Sequence, residues 1–300
     1  MSRFISLCVK QKYLLLMTLP GFLVVLLFKY FPIYGILIAF KDYDVAAGIW
    51  NSPWVGLKHF FSFFNNPLSL RIIKNTVLLG LYSLLWSFPA PIILALLMHE
   101  LKIRWFKRWV QTITYFPHFL SVVIIVGFIK EFTAMDGLFN QITSWFGMES
   151  VPMLSQPDYF RTLFISSGIW QGIGWGTIIY LAALSGVDEV LYEAATIDGA
   201  NRWKRMIHIT WPAILPATTI LLILSLGSIV GSDFQKILLM YNPNIYETAD
   251  VIDTFVYRQG ILGAQYEYST AVGLMLSIVA LIFVVTGNRI SRKVSETSLW

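Results

Sequence analysis

Ser185-Gly186-Val187-Asp188-Glu189-Val190-Leu191-Tyr192-Glu193-Ala194-Ala195-Thr196-Ile197-Asp198-Gly199-Ala200-Asn201-Arg202-Trp203 is a polar island between two long apolar runs. Asp188 is a good helix N-cap, and Glu189 in the first turn favours the positive end of the helix dipole. Gly199 stands where a helix C-terminus needs a positive φ. The segment between them reads as a helix of about ten residues. Asn201 can cap a second helix, which carries Arg202, Lys204 and Arg205 towards the next apolar run. Pro212 and Pro216 are expected to break the backbone as that run begins. The expectation is a helix-turn-helix elbow, about residues 185–212, projecting from a hydrophobic body.

That body dominates the chain. Of 300 residues 56% are hydrophobic and only 13% charged, about half the charged share of a soluble domain. Six apolar runs approach the roughly 20 residues needed to cross a bilayer. They fall at about 14–31 (with an extension towards 40 beyond Pro32 left open), 76–98, 113–129, 163–184, 217–234 and 270–288. The runs are apolar on both parities, which excludes the alternating strands of a membrane barrel. Lipid leaves helices as the alternative. The expected fold is therefore an all-α membrane protein of six transmembrane helices, one domain over residues 1–300.

Charge orients it. Arg3, Lys10 and Lys12 precede the first run. Lys102, Arg104, Lys107 and Arg108 follow the second, Arg202, Lys204 and Arg205 the fourth, and Arg289, Arg292 and Lys293 the sixth. The opposite, longer segments hold Lys41, Lys58, Arg71, Lys74, Lys130, Arg161, Lys236 and Arg258. Thirteen against eight places both termini in the cytoplasm. Trp50, Trp54, Trp145, Trp105, Trp109, Trp203 and Trp211 fall near the expected boundaries, as an aromatic belt should. The N-terminal run outlasts a signal core and lacks a small-x-small cleavage site, so it reads as a retained anchor.

Several chemistries are excluded or thin. A single cysteine, Cys8, gives no disulfide framework. His59, His99, His118 and His208 are scattered, so no metal site is expected. There is no GxxxxGK[ST] and hence no phosphate-cradling loop. Asp250 and Asp253 are read as solvated loop acids rather than a paired catalytic set. The net charge of +5 sits in short loops, so no nucleic-acid partner is implied; membrane lipid is the expected neighbour.

A ten-residue helix is marginal in water by itself. Leu191, Ala194, Ala195 and Ile197 need cover. The helix could lie on the membrane or against its own bundle, or it could dock into a groove on a cytoplasmic partner. The residues leave both open.

Glu193-Ala194-Ala195, Gly199, Ile209 and Pro212 resemble the motif E-A-A-x3-G-x9-I-x-L-P, with Trp211 in place of the leucine. This is the signature of permease subunits of binding-protein-dependent ABC importers, and Asp198–Trp203 is similar to the carbohydrate branch of the maltose type. Lys29–Tyr43, Ser52–Phe60 and Asn242–Gly260 extend the resemblance over the chain. It implies the ABC type I importer permease fold in a bacterial cell membrane, with both ends inside. It further implies a second permease chain, forming a heterodimer, two ATPase subunits and an extracellular solute-binding protein that delivers an oligosaccharide. ATP and Mg would belong to the ATPase, and this chain would bind no cofactor and catalyse no reaction. The elbow helix, with Glu193, Ala194, Ala195, Asp198 and Gly199, would be the coupling contact.

A sugar path needs hydroxyl partners and aromatic faces. The fourth run offers Gln171, Gly172 and Trp175, with Gln171 and Trp175 one turn apart. The fifth offers Ser225, Ser228 and Ser232 as a polar stripe. Helix packing or lipid contact would use the same residues. The competing function is an ion-coupled secondary sugar transporter, which would place acids mid-span; only Asp233, at a span end, comes close.

Overall fold

The computed structural model describes residues 10–231, 233–294 and 298–299. Arg3, Cys8 and Ser232, invoked above, lie outside them. Among the described residues the chain is helical, and extended backbone pairs only in an isolated antiparallel bridge between Lys41 and Trp54. The chain divides into two compact units, Met1–Asn65 with Arg258–Leu274, and Asn66–Tyr257 with Met275–Trp300.

The first unit carries helix α1, Lys12–Phe40. Its apolar side chains face outward almost throughout, as expected of a helix whose solvent is lipid. Beyond it, buried Lys41 is fully used: its ammonium donates to Ile49 O at 2.7 Å and Trp50 O at 3.1 Å, and stands 5.0 Å over the Trp54 ring. His59 Nε2 lies 3.0 Å from Lys41 O, which ties the following short helix to the same corner.

The second unit contains α2 (Ser69–Glu100), α3 (Arg104–Phe119), α4 (Val122–Phe132), α5 (Pro157–Ser185), α6 (Glu189–Ile197), α7 (Arg202–Gly227) and α8 (Phe234–Met240). Helix α9, Tyr266–Val294, belongs to both units by sequence. Helix α5 is the spine of the second unit and packs against α2, α3 and α7. One apolar cluster joins Leu79, Ile125, Phe160, Phe164 and Ile237; another joins Ile92, Tyr180, Leu184 and Ile214.

Helices α1, α2, α7 and α9 are long and apolar enough to cross a membrane. The third expected span is not one straight helix. Helices α3 and α4 qualify only as a pair bent by 102°. Pro117 removes an N–H and crowds the preceding turn, and extended Ser121 restarts the chain by accepting Ile124 N at 3.4 Å. Helix α5 has 29 residues, about 43 Å, but its glycines, serines and glutamine dilute its apolarity.

The fifth span also differs from expectation. Helix α7 runs unbroken from Arg202 through Pro212 and Pro216, and stops at Gly227 rather than reaching Phe234. Its first turns widen into a π segment, Met206–Thr210, ending two residues before Pro212. The same spacing recurs at Leu26–Tyr30 before Pro32 and at Ser83–Ser87 before Pro89. A wider turn gives the proline ring room and re-satisfies the backbone, so the helix continues through it.

Asp250 corrects another reading. It is fully buried, and its Oδ1 accepts the Thr254 hydroxyl at 2.9 Å while its carbonyl accepts Asn75 Nδ2 at 3.0 Å. It organises the turn into Ile252–Tyr257 rather than meeting solvent.

Candidate functional site

The elbow is built by local chemistry. Asp188 Oδ1 accepts Val190 N at 3.0 Å and opens α6. At the other end Gly199 takes φ +75°. Gly199 N donates to Thr196 O at 3.1 Å and Ala200 N to Ala195 O at 2.8 Å. These two bonds are a Schellman closure, which a left-handed glycine permits without Cβ strain. Asp198 is the C-cap. Asn201 Oδ1 then accepts Lys204 N at 2.9 Å and starts α7.

One side of α6 is held. Tyr192 OH lies 3.1 Å from Thr210 Oγ1, and Arg205 Nη1 donates to Thr196 Oγ1 at 2.8 Å. The Tyr192 ring also tilts against His99 at 5.5 Å. The other side is bare. Glu193 and Ala194 are exposed, as are Val190 and Leu191, and Ile197 is 87% exposed. Ala195 is half-buried. The helix does not fold its apolar face against its own bundle, and Glu193 forms no ion pair among the described residues.

The second constellation is a pair of adjoining cavities inside the second unit, about 310 and 470 Å3. They share Gly80, Ser83, Ser87 and Ser228. The bend between α3 and α4 reaches this place because α3 crosses α5 at Gly174, where any Cβ would collide with the Thr114 carbonyl. That crossing presents His118 to the larger cavity.

Of the sequence-selected residues, Gln171, Gly172 and Ser228 line the larger cavity, and Ser225 lines the smaller. Trp175 lines neither. It is 48% exposed, and one indole face is covered by the His118 ring, stacked at 4.4 Å and 6°. Phe119 meets it edge-on at 6.2 Å. Gln171 Nε2 reaches Leu120 O at 3.5 Å, the long limit of a hydrogen bond. The serine stripe is not one helical face, because α7 ends between Ser225 and Ser228. Both hydroxyls bond back to the chain at 2.8 Å, to Leu221 O and Ser225 O.

Sequence reasoning missed His118, Lys236 and the Ser83/Ser87 pair. Both serines, four residues apart in the π segment before Pro89, line the cavity. Lys236 sits in α8, outside the spanning helices, and its side chain is buried in the larger cavity's wall. Burial pushes it down to about 8, with Asp233 pulling the other way, so it is mostly a cation at neutral pH. The available signal was a lysine one turn beyond a capping aspartate within otherwise apolar sequence.

A body that is helical among the described residues, with several bilayer-length apolar helices, a polar interior cavity and a short helix with a bare apolar face, fits a membrane permease. The chain belongs to the family described as binding-protein-dependent transport system inner membrane component, whose model matches residues 87–296. It is 45% identical over 97% of its length to the polygalacturonan/rhamnogalacturonan transport system permease protein YteP of Bacillus subtilis (strain 168), covering 91% of that protein. It is 44% identical to Protein LplB of the same organism, over 97% of this chain and 92% of that one. Among solved structures it matches a chain of a bacterial ABC transporter that imports the acidic polysaccharide alginate, with TM-score 0.90 and 40% identity over 98% of this chain and 99% of that chain. The all-helical importer permease fold expected from the elbow motif is thereby established, with several helices apolar enough to span a membrane.

Proposed function

We propose that this chain, acting as one domain over its length, is a permease subunit of an ATP-driven oligosaccharide importer in a bacterial cell membrane. The observation that carries it is near-full-length identity of 45% with a polygalacturonan/rhamnogalacturonan permease. A structure neighbour of 40% identity was solved as an alginate transporter in complex with a pentasaccharide-bound periplasmic protein. The chain crosses the membrane six times, by α1, α2, the bent pair α3–α4, α5, α7 and α9, with both termini inside. It pairs with a second permease chain. Two ATPase subunits, which hold ATP and Mg, dock beneath, and a solute-binding protein delivers sugar from outside.

The elbow is the coupling contact. Exposed Val190, Ala194 and Ile197 supply apolar area for a groove, and Glu193 supplies charge that a basic ATPase surface would meet. Asp198 and Gly199 shape the turn that transmits movement to α7. Gln171, Gly172, Ser225 and Ser228 line the sugar path, with Trp175 setting the His118 ring. ATP-driven closure below and a loaded binding protein above together favour the outward-open state, a population shift.

Reconstitution of the assembled complex tests this. Oligosaccharide-loaded binding protein should stimulate ATP hydrolysis and uptake, and no stimulation by any oligosaccharide would overturn the reading. A reporter fused after Trp300 that is active only outside the cell would overturn the orientation.

A further inference from the structure

We propose that Lys236 is a carboxylate-binding residue of the larger cavity, so that the cargo is an acidic, uronate-containing oligosaccharide; this rests on the permease reading above. Lys236 is 2% exposed, yet its side chain lines a cavity of about 470 Å3. That volume lies within the roughly 300–1,000 Å3 of small-molecule sites.

An ammonium has three N–H donors. Among the described residues only one is used, donating to Phe164 O at 3.2 Å, with the ring of the same residue 5.0 Å away. No carboxylate among the described residues lies within 4.0 Å of it. Gly168 presents no side chain beside the ammonium, where a Cβ would stand 3.6 Å from Nζ. A buried cation held by one neutral carbonyl carries a desolvation cost that native interiors usually cancel with an opposite charge. Lys41 shows the contrast: it too is buried, but two carbonyls and an indole face engage it.

The missing partner of Lys236 is supplied by the ligand. A sugar carboxylate can accept both remaining N–H groups in charge-assisted bonds, stronger than those a hydroxyl would make. Asp233 also lines the cavity. It is exposed, and its Oδ1 is occupied at 3.3 Å by the backbone N–H of Lys236. Solvent screens it more than the buried ammonium, so the field on a ligand at the Phe164–Gly168 wall is set by the lysine. His118, Gln171 and Ser228 remain for hydroxyls.

The test uses proteoliposomes of the assembled complex at saturating binding protein, supplied with trimers of galacturonate, mannuronate or neutral galactose. Wild type should take up a uronide. Lys236→Gln should lower the ratio of uronide to neutral uptake roughly tenfold or more, the worth of a hydrogen bond between charged groups. Lys236→Arg should retain most of it. An unchanged ratio in Lys236→Gln overturns the proposal. Uptake of galactose trimers alone by wild type overturns the acidic cargo and leaves the permease standing. Uptake of none of the three, with no oligosaccharide stimulating hydrolysis, overturns the permease reading itself. If both Lys236→Gln and the isosteric Lys236→Met fail to assemble, Lys236 is a clamp on the Phe164 carbonyl and the proposal falls.

Discussion

The elbow and the cavity use opposite strategies within one unit. The elbow is made of consecutive residues: each cap bonds two to five positions along the chain, and one apolar face is exposed. The cavity is made of residues from four separate stretches, with His118, Gln171, Ser228 and Lys236 brought together by helix crossings. A surface that must engage another subunit needs a rigid local shape and bare apolar area. A site that must hold a polar cargo inside lipid needs donors hidden from that lipid, which only packed helices provide. Substitutions in the two regions should therefore fail differently.

The largest effect is expected at the elbow. Glu193→Lys should insert and assemble with its helices intact, and lose transport together with stimulation of ATP hydrolysis by loaded binding protein. Stimulation at the wild-type level would move the docking contact away from α6. Gly199→Val attacks the same coupling through the backbone, since a β-branched residue at φ +75° costs about 1–2 kcal/mol. Its stimulation should fall with a frayed α6. The measurement is stimulated hydrolysis in the complex.

In the cavity losses should be graded. Trp175→Ala removes the stacked partner of His118 and should lower uptake roughly two- to tenfold, the worth of an aromatic pair. An unchanged initial uptake rate would separate the stack from the sugar path. Ser228→Ala should matter least. Its hydroxyl already donates to Ser225 O, so it can offer cargo only an acceptor, and the apparent KM should rise by less than about threefold. A larger loss at Ser228 than at Trp175 would reverse the order of importance within the cavity.

The elbow was legible because caps, turns and charge act between neighbours. Asp188, Gly199 and Asn201 each perform the role their residue type suggests. The apolar runs that form α1, α2, α7 and α9 were legible for a similar reason, since lipid selects composition directly. The misreadings share a cause. Pro212 and Pro216 look like breaks, yet a π segment two residues upstream absorbs Pro212 and the helix runs on through Pro216, whereas the chain bends by 102° after Pro117. Asp250 looks solvated until Thr254 and Asn75 enclose it.

Sequence alone determined that this chain is a helical membrane protein with an exposed capped elbow, because burial in lipid and helix capping are properties of short stretches. Only the tertiary structure decided what the interior offers. Thr114 can pass over α5 only at a residue without a Cβ, Gly174, and that crossing delivers His118 to the cavity. Lys236 becomes buried only when α8 lies against Phe164 and Gly168. Such positions depend on which helices touch and at what height, and periodicity along one helix carries no record of the neighbour that crosses it.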